Sequence, residues 1–176
     1  RAKEEARKKN PSLTKEQLES VAQAVGLGAL KYPLLARENT KLVTFDWQTA
    51  LNFDGQAAPY NHYAYVRAGS ILRKAGSQLP GSLQPEYELS AVEVQLVDTL
   101  TRLPNEVRRA AQELRPLGLA NLAYDLARAF NDFYNQCPVL QAEEPVRNLR
   151  LRLVAASRVT IGNCLAVLGI IAPDAM

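Results

Sequence analysis

Within the stretch "GQAAPYNHYAYVRAGSILRKAG", residues 55 to 76, stand Tyr60, Tyr63 and Tyr65, the chain's only histidine, His62, and the basic residues Arg67, Arg73 and Lys74. At about 100° per residue on a helix, Tyr60, Tyr63, Arg67 and Lys74 share a sector of about 60°. Ala64, Ala68, Ile71, Leu72 and Ala75 gather on the adjoining face, and Tyr65, about 140° from Tyr60, belongs to that core side. A stripe of this kind suits unstacked nucleotides. A tyrosine ring stacks on any base for about 1–3 kcal/mol, and a guanidinium pairs with phosphate or with base edges. The same residues also suit the rim of a helix bundle or the face that meets a protein partner. Spacing alone leaves these three readings open.

The remaining composition excludes more chemistry than it suggests. With one histidine, no two-histidine metal site can form, and a cysteine–histidine dyad would have to join His62 to the distant Cys137 or Cys164. His62 is therefore expected to pack rather than to catalyse or to bind metal. The two cysteines have no metal-ligand spacing and form no disulfide framework, which suits a reducing compartment, and each is expected to act as a small hydrophobe. There is no G-x-x-x-x-G-K-[ST] loop, and "GLGALKY" lacks the third glycine of a dinucleotide-binding turn. A hydrolase or oxidoreductase has no supporting constellation. The net charge of +3 and pI near 8.9 lean only weakly toward an anionic partner. No apolar run reaches the roughly 20 residues of a membrane span, since "NCLAVLGIIAP" is short and interrupted by Gly169 and Pro173. The opening "RAKEEARKKN" is too charged for a secretory signal and reads as the tail of an earlier helix, as though the chain began inside something longer.

The elements that must position the stripe are helices. A Thr14-x-x-Gln17 capping box opens one over about 13–25, with Leu18, Val21 and Val25 inward and Gly26 as its stop. "GALKYPLLAR" predicts a short helix ended or kinked at Pro33, "TKLVTF" an extended piece at 42–45, and "FDWQTALNFDG" a helix capped by Asp46 that closes at Gly55. The stripe helix runs to about Ala75, and "GSQLPGSLQPE" predicts a loop. Then follow helices at about 86–103, stopping before Pro104; at about Asn105–Leu114, with Val107, Ala111 and Leu114 inward; at about Leu119 to Pro138; and at about Glu144–Leu168. The last carries Arg158 amid an apolar stripe of Leu151, Val154, Ile161, Leu165 and Leu168. Arg158 is expected either to snorkel or to form a structural ion pair, with Asp125 or Asp132 as partner, because an unpaired guanidinium inside a bundle costs several kcal/mol. No internal repeat argues for a solenoid.

"GALKY" followed by "FDWQTALNFDGQAAPYNHYAYVRAGSILRKA" resembles the junction between the catalytic and C-terminal domains of arginyl-tRNA synthetases. The ending "RLRLVAASRVTIGNCLAVLGIIAPDAM" resembles their final helix and tail. The resemblance runs from about "ARKKNPSLTKEQ" to the last residue. It implies an all-α antiparallel bundle of the class I synthetase anticodon-binding type, called DALR, over residues 56–176, with residues 1–55 as a helical connector from the end of the catalytic domain. It also implies anticodon contacts at Tyr60, Tyr63, Arg67, Met176 and Tyr134, and Lys74 lies on the same stripe. Aligning "AASR" with the Asp-Ala-Leu-Arg signature gives Arg158 the role of holding helices together, with Ala155 in place of the aspartate. Where relatives end in Pro-Glu-Arg-Met, this chain ends in Pro-Asp-Ala-Met.

The resemblance further implies a partner in the anticodon stem-loop of arginine tRNA and another in the synthetase's own catalytic domain, in the cytoplasm, with neither membrane nor DNA involved. His62 and Met176 are the only residues of their types, so the family's His-x-Gly-His and Lys-Met-Ser-Lys elements are absent from this chain. ATP and magnesium would belong to the catalytic domain, and the chain alone is expected to bind rather than to acylate. The alternative is a free-standing, synthetase-derived helical module that binds a protein partner.

Overall fold

The computed structural model describes residues 1–76 and 87–176, so most of the loop predicted at "GSQLPGSLQPE" lies outside the described residues. Among those described, every regular element is helical: α1 (Ala2–Lys9), α2 (Lys15–Leu35), α3 (Trp47–Ala50), α4 (Ala58–Ala75), α5 (Ala91–Thr101), α6 (Leu103–Glu113), α7 (Leu117–Gln136) and α8 (Val146–Val167). Local chemistry accounts for most of the boundaries. Glu4 and Glu5 in the first turn of α1, with Arg7, Lys8 and Lys9 in its last, complement the helix dipole. Full capping boxes open α2 at Thr14 and Gln17 and α5 at Ser90 and Glu93. The Asp46 carboxylate accepts from Thr49 N at 2.8 Å and starts α3, which ends at Leu51 well short of Gly55. The stripe helix α4 ends at Gly76, whose φ of 88° favours glycine.

Other features also depart from the sequence expectation, each for a physical reason. α2 does not stop at Gly26 but continues nine residues further, to Leu35. Neither Gly26 nor Gly28 adopts a positive φ. Instead, a Cβ on Gly26 would sit 3.5 Å from the Ala2 Cβ, and one on Gly28 would sit 2.8 Å from His62 Cε1 and 3.0 Å from the Ala58 Cβ. These glycines serve close helix contacts, not chain reversal. α5 does stop before Pro104, at Thr101, but Pro104 also lies in the first turn of α6, which starts at Leu103 rather than at about Asn105. Leu114, expected inward, is the left-handed residue that closes α6, with φ 53°, and is 80% exposed. Ala111 is exposed too, and α6 buries no residue fully. Finally, "TKLVTF" forms no strand, because an isolated extended segment has no neighbour with which to pair.

The bundle's directions follow from its contacts. Tyr65 meets Gly162 and Gly69 meets Arg158, so α8 runs antiparallel to α4. Cys164 Sγ donates to the Leu119 carbonyl at one end and Arg150 Nη1 to the Pro138 carbonyl at the other, so α8 also opposes α7. α4 and α7 must then be parallel, as the Tyr60–Tyr124 and Arg67–Asn131 contacts show. The main core takes Ala64, Ala68 and Ile71 from α4, Leu96 from α5, Leu122, Leu126, Phe130 and Phe133 from α7, and Leu151, Val154, Ile161 and Leu165 from α8. Both cysteines are buried and free. A smaller cluster joins Ala6, Leu18, Val21, Val25, Ala29, Ala50 and Leu51 at the N-terminal end.

Two buried polar arrangements fasten these layers. Glu93 is wholly buried, yet its carboxylate accepts from Arg150 Nε at 2.8 Å, from Ser90 N and Oγ at 2.8 Å, and from Tyr87 Oη at 3.0 Å. Burial pushes the Glu93 pKa up, but those donors outweigh it and hold it below the usual carboxylate range. Tyr32 of α2 donates its hydroxyl to the Ala120 carbonyl at 2.8 Å, and burial drives its pKa up to about 12. His62, as expected, is a core residue. Burial pushes its pKa down to about 4, against a smaller opposing pull from the Ile171 backbone.

Two tests follow from this packing. Gly28→Ala is expected to destabilise the fold by about 1–3 kcal/mol, because the new methyl must displace both a ring and a backbone-anchored Cβ. Denaturant unfolding would measure the loss, and an unchanged midpoint would show that α2 and α4 can separate at little cost. His62 sets a pH dependence. The folded state holds it neutral while the unfolded chain takes up a proton below pH 6.5, so its contribution to stability is complete above that value and falls as pH drops toward about 4. The total loss is about 3 kcal/mol. Unfolding midpoints between pH 7 and 4.5 would show the slope, and His62→Gln is expected to flatten it.

Candidate nucleic-acid interface

α4 is covered on three sides, by α2, α7 and α8, and its remaining face carries Tyr63, Arg67, Ser70 and Lys74. Tyr63 and Arg67 are one turn apart, so the guanidinium folds back over the ring, with Arg67 Cζ 4.4 Å from the Tyr63 centroid. α7 supplies the other half. Tyr134 lies against the same guanidinium, its centroid 4.6 Å from Arg67 Cζ, and Asn131 Oδ1 accepts from Arg67 Nη1 at 2.9 Å. The side chain thus contacts two rings and is anchored at one of its five N–H donors. Each such cation–π contact contributes about 0.5–2 kcal/mol, depending on its desolvation. Tyr63 and Tyr134 remain 38% and 41% exposed, so both rings keep an outer surface.

The other sequence-predicted residues fall at graded distances from this stack. Tyr60, one turn earlier, is half-buried and packs on Tyr124 with centroids 5.3 Å apart, a tilted pair at the base of the stripe. Lys74 is exposed in the last turn of α4. Met176 packs on the N-terminal cluster, as Leu13 also does, and its backbone carbonyl accepts from Asn10 Nδ2 at 3.3 Å. The expected Arg158–Asp125 ion pair is not formed. Asp125 pairs with Arg102 at 3.3 Å, on the side of α7 that meets α5 and α6, whereas Arg158 leaves α8 on the side that meets α4. There it lies over the Tyr65 ring at 4.9 Å and reaches Asp174, not Asp132, at 3.7 Å.

Sequence reasoning missed Asn131 and Tyr124. The signal for Asn131 was its position three residues before Tyr134, which puts both on one face of α7. Nothing in the sequence states that this face of α7 lies against Arg67.

Fold and surface together define an all-helical module with a preassembled tyrosine–arginine–tyrosine stack on its open face, a type of surface that receives flat, electron-rich rings and anions. The chain belongs to the DALR anticodon binding domain family, whose model matches residues 61–176. Among curated relatives, it is 42% identical over 183 residues to the arginine–tRNA ligase of Thermococcus sibiricus, all of this chain against 28% of that protein. To the arginine–tRNA ligase of Pyrococcus abyssi it is 41% identical over 179 residues, all of this chain against 29% of that one. The solved arginyl-tRNA synthetase of Thermus thermophilus superposes with a TM-score of 0.91 at 36% identity, covering 99% of this chain and 30% of that structure. The Plasmodium falciparum arginyl-tRNA synthetase, at 22% identity and TM-score 0.82, shares the fold. The chain therefore spans less than a third of the length of these relatives. Among the described residues, no helix is long and apolar enough to cross a membrane.

Proposed function

We propose that the chain is the C-terminal part of an arginyl-tRNA synthetase, and that it binds the anticodon stem-loop of arginine tRNA through Tyr63, Arg67 and Tyr134. The observation that carries this reading is the stack itself. Two half-exposed rings are held against one anchored guanidinium, so bases splayed from a loop meet surfaces already ordered before binding. Preordering lowers the entropy lost on association, which is where a small interface gains affinity. Tyr60 and Lys74 extend the same stripe at its two ends, the first as a partly covered ring and the second as a phosphate contact.

Residues 1–55 act in this reading as the connector to the catalytic domain, where ATP and magnesium are used and arginine is activated, in the cytoplasm. In support, Leu27, Leu30 and Leu34 on α2 are exposed, and Phe45 and Trp47, in edge-to-face contact at 4.9 Å, present further apolar surface. Apolar surface of this kind on a connector suits a covering domain.

The test is titration of a fluorescent hairpin carrying the arginine tRNA anticodon loop, read by anisotropy over a salt series. Binding is expected to be weak and only shallowly salt dependent, since few cations face the RNA. Tyr63→Ala is expected to weaken it by about tenfold or more, the loss of one stacking surface, while the thermal midpoint moves little because the ring is a surface group. Unchanged affinity in that variant, with no preference for arginine tRNA over other hairpins, would favour the free-standing protein-binding module.

A further inference from the structure

The open face of α4 has two edges, and only one of them is used by the stack. At the other edge Arg158 of α8 lies across Gly69, with its Nε 3.1 Å and its Cζ 3.5 Å from the point a Cβ would occupy there. Arg73 brings Nη1 within 3.3 Å of the same point, so two guanidinium groups lie side by side. Like charges at such range repel unless an anion lies near both. The partners present compensate poorly. Arg158 rests on the Tyr65 ring, its Nε is buried without a hydrogen-bond acceptor, and its ion-pair partner Asp174 stands at 3.7 Å with a side chain 93% exposed. Arg73 has the neutral Ser70 hydroxyl at 2.9 Å. A buried guanidinium donor without an acceptor is a standing cost that an incoming oxyanion would remove.

We propose that the paired guanidinium groups of Arg158 and Arg73 at this edge of α4 form a cleft that binds a backbone phosphate of the RNA, with the Asp174 carboxylate occupying the anion's place when RNA is absent. The proposal rests on the RNA reading given above. An RNA strand is favoured over an isolated small anion by continuity. From Arg67 across Ser70 and Lys74 to Arg73 the strip of α4 is at least partly exposed throughout, and α4 carries no acidic residue anywhere along its length. A chain of phosphates laid across the helix meets a cation at each edge and one between. The tail then acts as a displaceable cover. Asp174 leaves Arg158 as the phosphate arrives, with no bond made or broken beyond the ion pair.

The experiment is the hairpin titration over a salt series, made with the full chain and with Asp174→Asn, Arg73→Gln, Glu143→Gln and Tyr63→Ala. Asp174, Arg73 and Glu143 are exposed, so folding is not at stake in those three variants. Asp174→Asn is expected to bind roughly two- to fivefold tighter at low salt, the release of one exposed ion pair. Arg73→Gln is expected to lower the slope of log affinity against log salt by about one. An equal gain in Glu143→Gln would mean bulk charge alone and would overturn the site. So would unchanged affinity in Asp174→Asn and an unchanged slope in Arg73→Gln while Tyr63→Ala still weakens binding; in that case the RNA reading stands without this cleft. If Tyr63→Ala also has no effect, both fall together. A hairpin with single methylphosphonate substitutions locates the contact: at one position the Asp174→Asn gain is expected to vanish, and its persistence at every position would overturn the proposal.

Discussion

The arrangement depends on how closely other helices can approach α4. Ordinary helix pairs lie about 8–10 Å apart, the separation being set by the side chains between them. Here the contacts are made by groups of minimal size: Gly28 of α2 against His62 and Ala58, Gly162 of α8 against the Tyr65 ring, and Gly69 of α4 itself beneath Arg158. Ala58, Ala64 and Ala68 are completely buried along the same helix. With three sides closed this tightly, α4 has one face left. The residues that cannot be buried, Arg67, Ser70 and Lys74, must all lie on it. The basic strip is a consequence of close packing on the other sides, and its position is as fixed as the core.

Much of this was legible in the residues, for identifiable reasons. The Tyr63–Arg67 contact follows from a separation of four on a helix, and the caps at Thr14, Asp46 and Ser90 follow from side chains that can accept from the next turn. What failed was interpretation of residues with two uses. Gly26 could end a helix or admit a neighbour, and only the position of α1 decides for the second. Pro104 could stop a helix or start one, and with only Arg102 between α5 and α6 it follows the end of one and lies in the first turn of the next. The pairing of Arg158 was misjudged because an i,i+4 pattern tells which face a residue occupies but not which helix covers that face. For the same reason Asn131 was invisible until α7 was placed beside α4.

Arg67 and Arg158 make an instructive pair. Each is an arginine laid over tyrosine at the edge of α4, 4.4 Å from Tyr63 in one case and 4.9 Å from Tyr65 in the other. They differ in what completes the coordination. Arg67 has a second ring and a short hydrogen bond to Asn131, so its geometry is determined from three directions. Arg158 has one ring, one unpartnered buried donor and a distant, solvated carboxylate. A contact to a solvated carboxylate contributes at most about 1 kcal/mol, less than the desolvation of a guanidinium takes away. By that comparison the Arg67 site is complete as it stands, and the Arg158 site is not.

The same logic separates linkage from mere adjacency at the N-terminal end. Had α2 stopped at Gly26, the small N-terminal cluster would hang on a flexible joint. Because it continues to Leu35, one helix of 21 residues, roughly 30 Å long, carries Leu18, Val21 and Val25 into that cluster and Tyr32 into the main core. The C-terminal segment closes the circuit from the other side. The Lys31 ammonium caps the Gly169 carbonyl, and Met176 packs on the N-terminal cluster with its carbonyl on Asn10. Between those two anchors lies Asp174, the residue on Arg158. A rigid helix and a short strap thus run in parallel between the two clusters, and any displacement of the strap at its middle must be taken up at one of its ends.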